Sequence, residues 1–193
     1  MATQKRFTVG FRRKRNGLTN YRKRLRLLIS KKHRMVVRVG NKSIITQIID
    51  YSEKGDKVIC SAYSTELKKI GWKFNTSNIP SSYLTGFLLG KKALSQNIKE
   101  AILDIGLNPP KKGSKIFACL KGAVDAGLSI RYSEDIVPNE KRIKGEHIAD
   151  YAKKLKENKE IYEKRYSGII KAGSDPTEIS KNYDEVKSNI TNG

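Results

Sequence analysis

The stretch Arg34-Met35-Val36-Val37-Arg38-Val39-Gly40-Asn41-Lys42-Ser43-Ile44-Ile45-Thr46-Gln47-Ile48-Ile49 reads as a β-hairpin. Its two arms, residues 34–39 and 43–49, are rich in β-branched side chains. Gly40-Asn41-Lys42 between them suits a tight turn with positive backbone dihedrals. Ser52-Glu53-Lys54-Gly55-Asp56 is a second turn, and Lys57-Val58-Ile59-Cys60-Ser61-Ala62 a third strand-like run. Three such runs joined by short turns predict an antiparallel meander.

Downstream the hydrophobic period lengthens. Glu66–Ile70 reads as a short helix ending at Gly71. Pro80 opens a longer one through Leu94, with positions 84, 87, 88 and 94 on an apolar face. Gly86 and Gly90, four apart in it, suit close approach by another backbone rather than a cofactor loop. Ala101–Gly106 is a fourth strand, stopped by Asn108-Pro109-Pro110. Gly113-Ser114-Lys115 then starts a helix with Ile116, Phe117, Leu120 and Val124 on one side and Gly127 at its end. A meander followed by further strand and helices predicts an α/β body, residues 34–133, with a mixed sheet and packed helices. Its core is expected between Met35 and Leu128, where the apolar runs concentrate.

Residues 134–193 read as a helical C-terminal extension. Residues 136–144 are polar and loop-like, and one charged helix is expected from Glu146 to Lys171. Ile148, Tyr151, Leu155, Ile161 and Tyr162 are its candidate contacts. Asp175-Pro176-Thr177-Glu178 combines a cap, a first-turn Pro and a carboxylate, and predicts a last helix through Ile190.

The remaining segment, residues 1–33, carries the chemistry. The chain has a formal charge of +21, from 40 basic and 19 acidic residues. Residues 1–49 hold fifteen Lys or Arg and no acid, leaving only +6 for everything after them. Repulsion on that scale opposes compaction unless a polyanion neutralises it. Residues 1–17 carry Lys5, Arg6, Arg12, Arg13, Lys14 and Arg15, with Phe7 and Phe11 between them. They lack the apolar surface to fold alone and predict a disordered arm. Thr19 is placed to cap a helix from about Asn20 to Ile29. Leu18, Tyr21, Leu25, Leu28 and Ile29 would face the body, leaving Arg22, Lys23 and Arg26 for phosphates. Arg24, Lys31, Lys32, Arg34 and Lys42 extend the basic set into the turns and the first strand. Phe7, Phe11 and Tyr21 could stack on unpaired bases, which favours structured RNA over plain duplex.

Other classes fit less well. No apolar run approaches the roughly 20 residues of a membrane span, so the expectation is a soluble protein that is not exported. Cys60 and Cys119 lack metal-ligand or redox spacing, and His33 and His147 stand alone, so no metal or cofactor is expected. A metal-dependent nuclease would draw on Asp50, Asp56, Asp104 and Asp125, but the first strand carries no acid and Asp104 has no evident partner. A general nucleic-acid-binding protein is the other alternative.

At this point the chain resembles ribosomal protein L-eighteen, the 5S-rRNA-binding protein of the large subunit, in its archaeal and eukaryotic branch. The likeness lies in Tyr21-Arg22-Lys23-Arg24-Leu25-Arg26-Leu27-Leu28 and Ile79-Pro80-Ser81-Ser82-Tyr83-Leu84-Thr85-Gly86. Ala101-Ile102-Leu103-Asp104-Ile105-Gly106-Leu107-Asn108 and Gly113-Ser114-Lys115-Ile116-Phe117-Ala118 continue it. Gly122-Ala123-Val124-Asp125-Ala126-Gly127-Leu128 and Gly145-Glu146-His147-Ile148-Ala149-Asp150-Tyr151 complete it, in the family's order. The resemblance implies a ribonuclease-H-like translational-machinery fold without catalytic residues. It implies binding of 5S rRNA through the arm, first helix and exposed sheet face, and docking of that RNA onto large-subunit rRNA. Partners would be the two RNAs and neighbouring large-subunit proteins, on cytoplasmic ribosomes, with neither a membrane nor a small-molecule substrate. Lys31-Lys32-His33-Arg34 departs from the family pattern, which often has Gly or Pro before the first strand.

Overall fold

The computed structural model describes residues 9–192. The meander forms as β1 (Arg34–Val39), β2 (Ile44–Asp50) and β3 (Lys57–Tyr63), each antiparallel to its neighbour. β4 (Ile102–Asp104) lies parallel to β1, giving the order β3-β2-β1-β4 and the expected mixed sheet. The fourth strand is shorter than residues 101–106, because Gly106 turns away at φ +61 and donates its N–H to the Asp104 carboxylate at 2.8 Å. The β1–β2 turn also differs from expectation, since none of Gly40, Asn41 and Lys42 takes a positive φ. Four residues connect these strands, so the mirror-image dihedrals of a two-residue turn are not needed. Gly40 N–H donates to Ser43 O instead, and Thr76 and Ser77 hydroxyls donate to Lys42 O and Gly40 O.

Alternation along the strands puts Met35, Val37, Ile44, Ile48, Cys60 and Ala62 on one buried face. Two helices cover it, α3 (Ile79–Ser95) and α4 (Lys115–Asp125). Asn78 and Ser81 form a capping box at the start of α3, with Pro80 in the first turn. The expected one-sided face of α3 is not what forms. Pro80 to Phe87, Leu89, Gly90 and Ala93 are buried, so the helix is covered all round. Leu88 and Leu94, expected inside, are half-buried. The glycines explain how α3 and α4 cross. A Cβ at Gly86 would lie 1.9 Å from Cys119 O, and one at Gly122 would lie 2.1 Å from Tyr83 O.

The far side of α3 is covered by the C-terminal extension, so the core continues beyond Leu128. Residues 136–144 are not a loop: α5 (Glu140–Lys144) forms there and buries Ile143. The single charged helix is two, α6 (Glu146–Leu155) and α7 (Lys159–Lys171), the second kinked at Tyr166. Tyr151 and Ile161, expected as contacts, are exposed, while Ala149, Ala152 and Tyr166 are buried. Asp175 accepts from Thr177 N–H at 2.9 Å and, after one 3₁₀ turn, α8 (Ile179–Asn192) follows as expected. Ile179, Tyr183, Val186 and Ile190 join Trp72, Phe74, Tyr83, Leu84 and Phe87 in a second core. Asn182 ties α8 to the turn after β3, donating to Gly71 O at 3.0 Å and accepting from Lys73 N–H at 3.2 Å.

Gly86→Ala is therefore expected to destabilise the protein by about 3 kcal/mol or more through overpacking against backbone. Gly168→Ala, in open space on α7, should instead gain up to about 1 kcal/mol of helix propensity. Thermal melts of the two variants should move in opposite directions, and a tolerated Gly86→Ala would contradict the crossing geometry.

Candidate nucleic-acid interface

On the other face of the sheet the strand alternation places charge. Arg34, Val36 and Arg38 on β1 face outward, together with Asp104 on β4. The turn before β3 brings Asp56 to the same face. These residues and a helix form a chain of alternating charges. Arg24 donates from both Nη atoms to the two Asp56 oxygens at 2.8 and 2.7 Å. Arg34 Nη2 donates to Asp56 at 2.7 Å and its Nη1 to Asp104 at 2.9 Å. Arg38 donates from Nη1 to Asp104 O at 3.0 Å, and its Nη2 lies 3.4 Å from the Asp104 carboxylate. Burial pushes the Asp56 carboxyl up, but hydrogen bonds from Arg24 and Arg34 outweigh it and hold the group below its usual range.

Arg24 belongs to α2 (Tyr21–Ile29), the helix that carries much of the basic cluster. Asn20, not Thr19, caps it, accepting from Lys23 N–H at 3.0 Å. Thr19 Oγ1 instead accepts from Arg13 Nε at 2.9 Å. The expected apolar face of α2 does not join the body. No residue of the helix is buried, and Leu25 and Ile29 are 61% and 71% exposed. The half-buried side is Tyr21, Arg24, Leu27 and Leu28, the same helical period in a different phase. The phase is set by the ion pair, because Arg24 must point at Asp56.

Arg22, Lys23 and Arg26 are exposed on α2, as expected for phosphate contact. Arg12–Arg15 are exposed too, but they are not part of a disordered segment: they form one helical turn, α1 (Arg12–Arg15). Phe11 packs on Tyr21 with the rings tilted by 33° and their centroids 4.9 Å apart, which closes that turn against α2. Lys5, Arg6 and Phe7 lie outside the described residues. Lys31 and Lys32 are exposed at the joint between α2 and β1, with Lys32 paired to Glu100. Lys31 adopts φ +53, a left-handed conformation that favours glycine. Lys42 is exposed in the β1–β2 turn.

Arg34, expected among the RNA contacts, is instead 3% exposed and held by two carboxylates. Arg38 was missed, although its spacing of four from Arg34 on a period-2 strand puts it on the same outer face, with its side chain 46% exposed. Between α2 and the outer sheet face lies a cleft of about 610 Å³. Arg13, Lys23, Arg26 and Arg38 are among its cationic lining residues, and Leu27, Val36, Ile49 and Leu107 among its apolar ones. Such a surface can take anionic backbone and the flat apolar faces of bases together.

Asp104, one of the four acids a nuclease would draw on, has its oxygens occupied by Arg34, Arg38 and the Gly106 N–H. Among the described residues no group of three His, Cys, Asp or Glu could hold a metal ion. Arg34→Ala should cost about 3–5 kcal/mol, because it leaves Asp104 buried without its main partner. Arg22→Ala should change stability by less than about 0.5 kcal/mol. Denaturant midpoints measure both, and equal losses would contradict a structural role for Arg34.

Comparison with known proteins adds two findings. A family model described as ribosomal large subunit proteins 60S L5 and 50S L18 matches residues 5–100 and 95–133. Over 191 residues the chain is 51% identical to large ribosomal subunit protein uL18 of Thermofilum pendens (strain DSM 2475 / Hrk 5), covering 98% of this chain and 97% of that protein.

Proposed function

The chain belongs to the family of large-subunit ribosomal proteins 60S L5 and 50S L18, a structural and non-catalytic family, and we propose that it binds 5S rRNA and helps dock it onto large-subunit rRNA. The observation that carries the reading is α2. A helix with Arg22, Lys23 and Arg26 exposed stands off the body with no residue buried, braced by an ion pair and backed by a cationic cleft. A helix so poorly packed is suited to a partner that supplies the missing contacts.

The contacts divide by chemistry. Arg22, Lys23, Arg26 and the α1 arginines meet phosphates, which position the protein and release counterions. Phe11, 68% exposed as a residue, offers a stacking face for an unpaired base, backed by Tyr21. RNA shape supplies the selectivity, because a helix and a cleft set at a fixed angle fit one arrangement of backbone and loop. The extension is different in kind. Residues 134–193 contain twelve basic and twelve acidic residues, so they carry no net charge. Their exposed side suits neighbouring large-subunit proteins better than RNA.

Competition at physiological salt should show 5S rRNA displacing unrelated RNA and duplex DNA of equal length. Equal affinity for all three would sink the assignment to 5S rRNA. Deleting residues 1–17 should weaken binding at least tenfold while leaving the melting transition of the body in place. Log affinity should fall steeply against log salt, by about 0.7–0.9 for each phosphate neutralised.

A further inference from the structure

Asp56 is an acid on a surface that meets phosphates. Electrostatics alone would favour its removal, since each negative charge there repels the RNA backbone. Its position in the ion-pair chain gives it another role. We propose that Asp56 is a positioning residue for RNA binding, whose carboxylate fixes the angle of α2 so that the cations of the helix and the cleft reach the RNA together. The proposal rests on the RNA reading given above.

Three observations carry it. Apolar packing holds α2 only weakly, because Tyr21, Leu27 and Leu28 are half-buried and none of its residues is fully buried. A nine-residue helix is also too short to be stable alone in water. The covalent joint to β1, through Lys31 at φ +53, anchors only the C-terminal end of the helix. What does fix it is a two-point contact. Both Nη atoms of Arg24 meet both oxygens of Asp56, a planar fork that sets orientation as well as distance.

The other end of the strut is firm. Asp56 ends the β2–β3 turn, where Gly55 N–H donates to Ser52 O and Asp50 pairs with Lys57. Its Oδ2 also accepts from Arg34, which is buried and anchored in turn to Asp104. Helix α2 is thus tied through one carboxylate to a side chain inside the body. The RNA then meets cations already in place and does not have to order them, which is how preorganisation raises affinity.

The sign of one substitution tests this. Asp56→Asn removes a negative charge facing the RNA, so an acid that only repels phosphate would give tighter binding when it is lost. A positioning acid gives weaker binding. With the full chain and 5S rRNA, Asp56→Asn is expected to raise Kd about tenfold. Arg24→Lys keeps the charge but loses the planar fork, and should weaken binding several-fold at unchanged net charge. In an Arg24→Gln background, Asp56→Asn should cost nothing further, because the strut is already cut.

Unchanged or tighter binding by Asp56→Asn overturns the proposal, as does an undiminished loss in the Arg24→Gln background. Arg34 keeps Asp104 in every variant, so melting curves should show the body folded. If Asp56→Asn nonetheless unfolds, the folded-state-neutral Arg24→Lys decides alone, and wild-type affinity for it overturns the proposal. Each variant is also titrated on an unrelated RNA. Lack of wild-type preference for 5S rRNA sinks the assignment under Proposed function, while the sign of the change on the tighter-bound RNA decides the role of Asp56.

Discussion

Arg34 is a permanent charge taken almost wholly out of water, and that is costly unless strong partners surround it. Its two Nη atoms meet one carboxylate from the β2–β3 turn and one from β4. That arrangement fixes more than the arginine. It holds the edge strand β4 against β1, where only three residues pair, and it presents Asp56 at a defined place on the outer face. Arg24 and Arg38 then complete the outer oxygens of the two carboxylates. Two acids shared among three arginines leave the surface net positive while keeping each buried charge paired. The candidate interface is therefore built on a structural ion-pair chain rather than on an apolar platform.

The fold and the interface differ in how far the chain alone discloses them. Strands β1 to β3 and the α3–α4 pair were legible because their residues answer to local rules. Alternating β-branched side chains mark pleated strands, and glycines four apart in an apolar helix mark a close crossing. The ion-pair chain was not legible, because its members lie 22 and 70 residues apart and no local period links them. Asp104 accordingly read as an acid without a partner, and Arg34 as a free cation. The phase of α2 failed for a related reason. Counting Leu18, Leu25 and Ile29 as a buried face assumes that the helix packs by burial, whereas Arg24 docks it by charge.

The extension shows a third limit. Its apolar residues are thinly spread among charges, so each helix taken singly reads as solvent-facing. Packed together they complete a second core on the far side of α3, with Tyr183 and Val186 fully enclosed. Lys187 adds to the contact by lying over the Tyr83 ring at 5.2 Å and the Phe87 ring at 5.6 Å. Helix α3 is covered all round because two layers close over it, the sheet with α4 on one side and the C-terminal extension on the other. The glycines at 86 and 122 permit the first layer, and small or polar C-terminal residues such as Ala149, Ala152 and Asn182 sit in the second.

The separation of a neutral extension from a strongly cationic opening segment gives the molecule a large electric dipole. In the field of a polyanion such a body experiences torque as well as attraction. It would turn its α2 side forward before contact, over the roughly 8–10 Å at which charges still sense each other in physiological salt. The rotational part of the search is then shortened, and encounters with the extension leading become rare. A chain with the same net charge spread evenly would be drawn to RNA as strongly and would arrive facing any way at all.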